Sequence, residues 1–310
     1  MITIYYKSVK ESDVAILEKF KPGAWLFVER PSNKDLDYLR DELGLDEGLL
    51  NDALDYYEVP RLEVNDSSTY IFTRVPARDE DNRSRTVPFL VVIAANFILT
   101  LSERPLPFLE KFVLESSQIN TTQKTNLFLQ IFTLLNKTFH SFLTDINRSV
   151  RRDTVQLEQS HAIQNQDVIE FLSFEKTLND FLAALQPTAV ILENLLSGKI
   201  LKLYEDDKEL VEDLFLNTNQ LIHLCSSNLK NIVNLRESYS IIVTSNLNRV
   251  IKLLTAVTVI ITIPTMIASF YGMNVALPYE NHPLAFAGIV VATLVISLIL
   301  LVIFSRKRWF

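Results

Sequence analysis

The sequence predicts an α/β cytoplasmic domain, a long helical stalk and two C-terminal transmembrane helices, and three observations lead there. Leu253 to Phe270 is 18 residues without a charge and Leu284 to Phe304 is 21 more, each long enough as a helix to cross roughly 30 Å of hydrocarbon. From Phe108 to Gln186 there is no glycine or proline, and apolar residues recur at helical spacing. Before that point most of the 11 prolines are found, as expected where a chain turns often between strands.

The domains follow in order. Residues 1–118 read as the α/β domain. Its strands are TYIFTRV (69–75) and the stretch TVPFLVVIAANFILTLSE (86–103), with Ala95-Asn96 as a hairpin turn. Ser32 is placed to cap a helix carrying Leu36, Leu39 and Leu43, and Asp46 a second carrying Leu49, Leu50, Ala53 and Leu54. Residues 119–252 form the long-helix and stalk region. Leu127, Ile131, Leu134 and Leu135, then Phe171, Leu178, Phe181, Leu182 and Leu185, mark two long antiparallel helices turning near His161 to Asn165. After Gly198, Val211, Leu214, Leu221, Cys225, Ile232, Leu235, Tyr239 and Ile242 follow a 3-and-4 spacing, the pattern of a helix packed along one seam. Run unbroken from about Asp206 to Tyr271, that helix has a length of about 100 Å. Residues 253–310 are the transmembrane domain, with spans 253–270 and 284–304, an outer (periplasmic or extracellular) loop 271–283 and a basic tail 305–310.

Charge sets the expected orientation. The opening MITIYYKSVKESD is polar by residue 7 and does not read as a cleavable signal peptide, so the first 250 residues are expected on the side of synthesis. Arg249 and Lys252 precede the first span, Arg306, Lys307 and Arg308 follow the second, and the loop between has no Lys or Arg. By the positive-inside rule both termini are cytoplasmic in a multi-pass cell-membrane protein. The 27 basic and 36 acidic residues before position 253 give a net charge of −9, which argues against a nucleic-acid partner and suits a cation. The single cysteine, Cys225, fits a reducing compartment and a buried helical position.

The first span carries a polar line. Thr255, Thr258, Thr262, Thr265 and Ser269 are spaced 3, 4, 3 and 4, which at about 100° per residue places them within an arc of about 80°. Asn248, Thr244 and Glu237 project close to the same line. Such hydroxyls can bond the carbonyl four residues back or hold helices together, but five in register, ending at a carboxamide, favour a water-lined path. One helix cannot enclose a path, so the line implies a symmetric ring of subunits. Ile251 and Leu254 interrupt it near the cytoplasmic surface, where a ring of them forms an apolar constriction that gates by dewetting.

Tyr271-Gly272-Met273-Asn274 after one span and before a second, with the ending RKRWF, resembles the CorA family of two-span magnesium transporters. GLDEGLLNDALDYYEVPRLEVNDSSTYIFTRVP (44–76) is similar to that family's helix-then-strand segment, and LQPTAVILENL (185–195) to its helix before the stalk. The resemblance implies a funnel-shaped homopentamer whose first spans line the pore, with Mg2+ as both the transported and the regulatory ion and membrane lipid around the second spans. It implies a selectivity filter at Gly272, Met273 and Asn274, a pore lined by Thr258, Thr262 and Thr265, a hydrophobic gate at Ile251 and Leu254, and Glu237 and Asn248 toward the cytoplasmic exit. It also implies a regulatory divalent site between neighbouring subunits, with Asp213 on the stalk and Asp79 and Asp81 in the partner region. Thr262 stands where relatives often carry a bulky apolar residue, which moves the expected narrowest point.

The motif has a physical rationale. Mg2+ surrenders its octahedral water shell reluctantly, so neutral carbonyl acceptors at Asn274, Gly272 and Met273 suit selection of the hydrated ion. Gly272 lets the chain leave the helix without a Cβ at the mouth. Glu280 is the only charge in the loop and can raise local cation concentration, while His282 makes a weak metal ligand on its own. No phosphate-binding G-x-x-x-x-G-K-[ST] occurs, so influx is expected to run on the membrane potential, with Co2+ or Ni2+ as secondary ions. The rival readings are a ZntB-like zinc transporter of the same architecture and a membrane-anchored signalling scaffold. An enzyme fits worst, since four scattered histidines and one cysteine form no catalytic cluster.

Overall fold

The computed structural model describes the chain except residues 12, 66, 80–81, 116–118, 161–164, 199, 201–202, 276–282 and 308–310, and leaves the side chains of 115, 153, 156–160, 165–168 and 206 undescribed. It divides into two units, Met1–Asn234 and Leu235–Phe310. The sheet, the two long helices that follow it and the first part of the stalk helix therefore share one unit, where the sequence reading set boundaries at 118 and 252.

Seven strands form one mixed sheet: β1 (Ile2–Tyr6), β2 (Ala15–Leu17), β3 (Ala24–Glu29), β4 (Arg61–Asn65), β5 (Ser68–Arg78), β6 (Ser84–Ile93) and β7 (Phe97–Ser102). Their order is β2-β1-β3-β7-β6-β5-β4. Every neighbouring pair is antiparallel except β3 and β7, which run parallel with Trp25 beside Ile98. The β6–β7 hairpin turns at Ala95-Asn96 as expected, closed by the Ala94 N–H to the Phe97 carbonyl at 3.0 Å.

Side chains alternate between two cores, as the period of a strand requires. Trp25, Phe27, Ile71, Val75, Phe89 and Val91 point to one face. That face is covered by α3 (Pro107–Glu115), α4 (Lys124–Ser160), the end of α5 (Asn165–Leu196) and the start of α6 (Glu205–Tyr271). Leu26, Val28, Tyr70, Phe72, Leu90 and Leu99 point to the other, under α1 (Asn33–Asp41) and α2 (Glu47–Asp52). Both short helices start where their caps predict. The Ser32 hydroxyl accepts from the Asp35 N–H while the Asp35 carboxylate accepts from the Ser32 N–H, a capping box. Asp46 accepts from the Leu49 N–H at 3.0 Å.

Phe139 and Phe142 of α4 both meet Phe181 of α5 edge-on; the turn expected near His161 lies outside the described residues. Gly198 follows α5 in a left-handed conformation, φ +68°, which glycine adopts without strain. On α6, Val211, Leu214, Leu221, Cys225, Ile232 and Tyr239 are buried as the seam predicts. Ile242 is 47% exposed, so the buried seam stops one step earlier than its spacing suggested. Burial pushes the Cys225 thiol up to about 12. Asn136 of α4 donates its amide to the Leu214 carbonyl at 3.3 Å and to the Thr218 hydroxyl at 3.0 Å, tying α4 to α6 through a fully buried threonine.

Candidate functional site

The second unit holds the C-terminal part of α6 and α7 (Ala285–Arg306). Both are apolar enough to cross a membrane, with mean hydropathy over their best windows of 2.1 and 3.0. Burial within the unit fixes their rotation. On α6 the least exposed residues of the apolar run are Ala256, Val259, Ile260, Ile263, Pro264 and Ile267, one face of the helix. On α7 they are Ala285, Ile289, Thr293, Ser297, Leu300 and Phe304, again one face. Each stripe is the less exposed face of its helix within the unit.

The hydroxyl line lies roughly opposite the covered face of α6. Thr255, Thr258, Thr262 and Thr265 are all exposed, and each donates its hydroxyl to the carbonyl four residues back, Ile251, Leu254, Thr258 and Ile261, at 2.7 to 2.9 Å. The hydroxyl proton is thereby committed to the helix, and the oxygen lone pairs remain for an outside donor. Back-bonding and a polar lining, set as alternatives from the sequence, are compatible. On the same side, Ile251 is 51% and Leu254 66% exposed. Asn248, Thr244 and Glu237 are exposed as well.

At the end of α6 the Gly272 N–H reaches the Ala268 carbonyl at 3.0 Å and the Ser269 carbonyl at 3.2 Å, and the Met273 N–H reaches Phe270 at 3.3 Å. Gly272 is not left-handed. A Cβ built there would meet its own chain no closer than 3.4 Å, at the Ala268 carbonyl. No steric demand within the chain requires glycine at 272. Met273 and Asn274 are exposed. Glu280 and His282 lie outside the described residues.

The acids assigned to a regulatory site between subunits are described here within one chain. The Asp79 carboxylate accepts from the Arg83 N–H at 2.8 Å and pairs with Arg85 at 2.8 Å, closing the β5–β6 turn. Within its own chain it closes the hairpin. Asp81 lies outside the described residues, and Asp213 is exposed on α6. Among the described residues no group of three or more His, Cys, Asp or Glu side chains could hold a metal ion. Part of the acidic run 205–213 serves the helix instead. The Asp207 carboxylate accepts from the Tyr204 N–H at 3.3 Å, and acids in a first turn face the positive end of the helix dipole. The spacing from Tyr204 to Asp207 was the signal for that cap.

The family model for CorA-like Mg2+ transporter proteins matches residues 21–308. This chain belongs to the CorA family. Over 298 residues it is 28% identical to a cobalt/magnesium transport protein CorA of Methanocaldococcus jannaschii, covering 92% of this chain and 90% of that one. It matches the structure of a CorA magnesium transporter from Methanocaldococcus jannaschii with a TM-score of 0.87 at 22% identity, over 100% of this chain and 99% of that one. The ZntB cytoplasmic domain from Vibrio parahaemolyticus covers 76% of this chain and matches 95% of its own length, with a TM-score of 0.60 at 12% identity. At these identities both structures establish the fold, and the CorA match takes in the whole chain. The family model and the curated relative favour the CorA assignment over the ZntB-like reading.

Proposed function

We propose that this CorA-family chain forms a homopentameric Mg2+ channel in the cell membrane, with both termini cytoplasmic and the hydroxyl face of α6 lining the ion path. The observations that carry the reading are two: the hydroxyl line lies opposite the less exposed face of α6, and its hydroxyl protons are spent on the helix. What it offers is a column of acceptors, which suits the outward-pointing hydrogens of a hydrated cation. Five copies of the chain turn that face inward and α7 outward to lipid. Asn274, with the Gly272 and Met273 carbonyls, forms the outer ring; Ile251 and Leu254 form the gate; Asn248 and Glu237 line the exit. The driving force is the membrane potential, roughly 4.6 kcal/mol for a divalent cation at 100 mV. Co2+ and Ni2+ are the secondary ions.

Two measurements test this. Mg2+, Co2+ and Zn2+ fluxes into proteoliposomes, with internal pH followed, should show Mg2+ entry without proton movement; zinc-dependent proton movement would favour the ZntB-like reading. Thr258→Cys, Thr262→Cys and Thr265→Cys should react with small water-soluble thiol reagents when the path is open, and Val259→Cys and Ile263→Cys should not. Faster labelling at 259 or 263 would put the path on the wrong face.

Regulation by cytoplasmic Mg2+ is assigned to Asp213 on the stalk facing Asp79 and Asp81 of a neighbouring subunit, where Asp79 would exchange its pairing with Arg83 and Arg85 for the ion. Asp213 lies on the stalk helix, where a neighbouring subunit can approach it. Asp213→Lys is expected to weaken inhibition by cytoplasmic Mg2+ or to lock the closed state, since it fixes a positive charge where the ion would sit. Patch recordings with cytoplasmic Mg2+ varied decide: an unchanged inhibition curve would leave the acids of 205–213 with capping and solvation as their only roles.

A further inference from the structure

The seam of α6 is not uniformly apolar. Val211, Thr218, Cys225 and Ile232 recur every seventh residue, and Leu214, Leu221 and Asn228 make the companion line. Thr218 is fully buried and satisfied, donating to the Leu214 carbonyl at 2.8 Å and accepting from Asn136. Ten residues further on, the Asn228 Nδ2 is buried with no hydrogen-bond partner among the described residues. Cys225 and Ile232, on either side of it, are fully buried.

One seam thus treats two polar side chains in opposite ways. A buried amide donor without an acceptor destabilises whichever packing buries it and recovers its hydrogen bonds once water reaches it. We propose that the seam is a two-state packing, pinned at Thr218 by Asn136 and opening to water around Asn228, over residues 225–235. Opening there leaves the sheet's own core intact, because the last α6 residue buried in that core is Leu214. It releases α6 below the pin, on the same unbroken helix that carries the hydroxyl line.

Hydrogen exchange of the full-length protein in lipid nanodiscs tests the idea without any assumption about the transported ion. Asn228→Leu and Asn228→Met remove the unpaired donor. Either should slow amide exchange over 225–235 by about tenfold while leaving residues 208–218 unchanged. Thr218→Val removes one of the acceptors of Asn136 and should speed exchange at 214–221. Unchanged or faster exchange over 225–235 in the two Asn228 variants would overturn the proposal. Failure of both to assemble would do so too, since the amide would then be holding the seam together.

Discussion

Asn274→Ala is expected to reduce Mg2+ flux to the level of empty liposomes while leaving the assembled protein intact. Asn274 is exposed beyond the end of α6, and the last turn is closed by the Gly272 and Met273 N–H groups without it. Its removal therefore takes no packing from either unit. What it does remove, in a symmetric ring, is every side-chain acceptor at the mouth at once, and a neutral filter has no charge to fall back on. The check is uptake by purified protein at matched reconstitution, with the oligomer measured by size. Near-normal uptake would withdraw the filter assignment, while loss of the oligomer would show that Asn274 holds subunits together.

Leu254→Ser should act in the opposite direction and raise resting flux by roughly tenfold, equivalent to about 1.4 kcal/mol off the barrier. Leu254 is 66% exposed on the single chain, so its replacement sacrifices contacts only between subunits or with water. A ring of apolar side chains stays closed because water will not fill it, and a hydroxyl at that level lowers the cost of wetting. The increase should persist at high cytoplasmic Mg2+. Flux that stays at the resting level would place the barrier elsewhere, with Thr262 the next position to examine.

Much of this was legible in local sequence pattern. The Ala95-Asn96 turn, the caps at Ser32 and Asp46, and the hydroxyl line all depend on residues within a few positions of one another, where period and side-chain chemistry speak directly. The parallel pairing of β3 with β7 was not, because it joins Trp25 to Ile98 across most of the domain and leaves no local mark. The covered face of α7 was also beyond reach: its near-uniform apolar sequence marks no stripe, and only burial shows one. The local partners of the acids were out of reach for a related reason. Asp79 and Asp207 look alike as members of charged runs, yet one closes a hairpin on two arginines and the other caps a helix. Ile242 kept the spacing of the seam after the seam had lost its cover.

The burial of Cys225 has a practical consequence for reporter chemistry. A thiol pushed up to about 12 is about one part in ten thousand thiolate at pH 8, and the thiolate is the species that maleimides and thiosulfonates attack. The side chain is also fully enclosed. The unmodified chain is therefore a nearly silent background for site-directed labelling, and a probe introduced on the hydroxyl line can be read without first deleting the native cysteine. Should the seam open at its lower end, Cys225 would begin to react, and its slow labelling would become an internal clock for that motion.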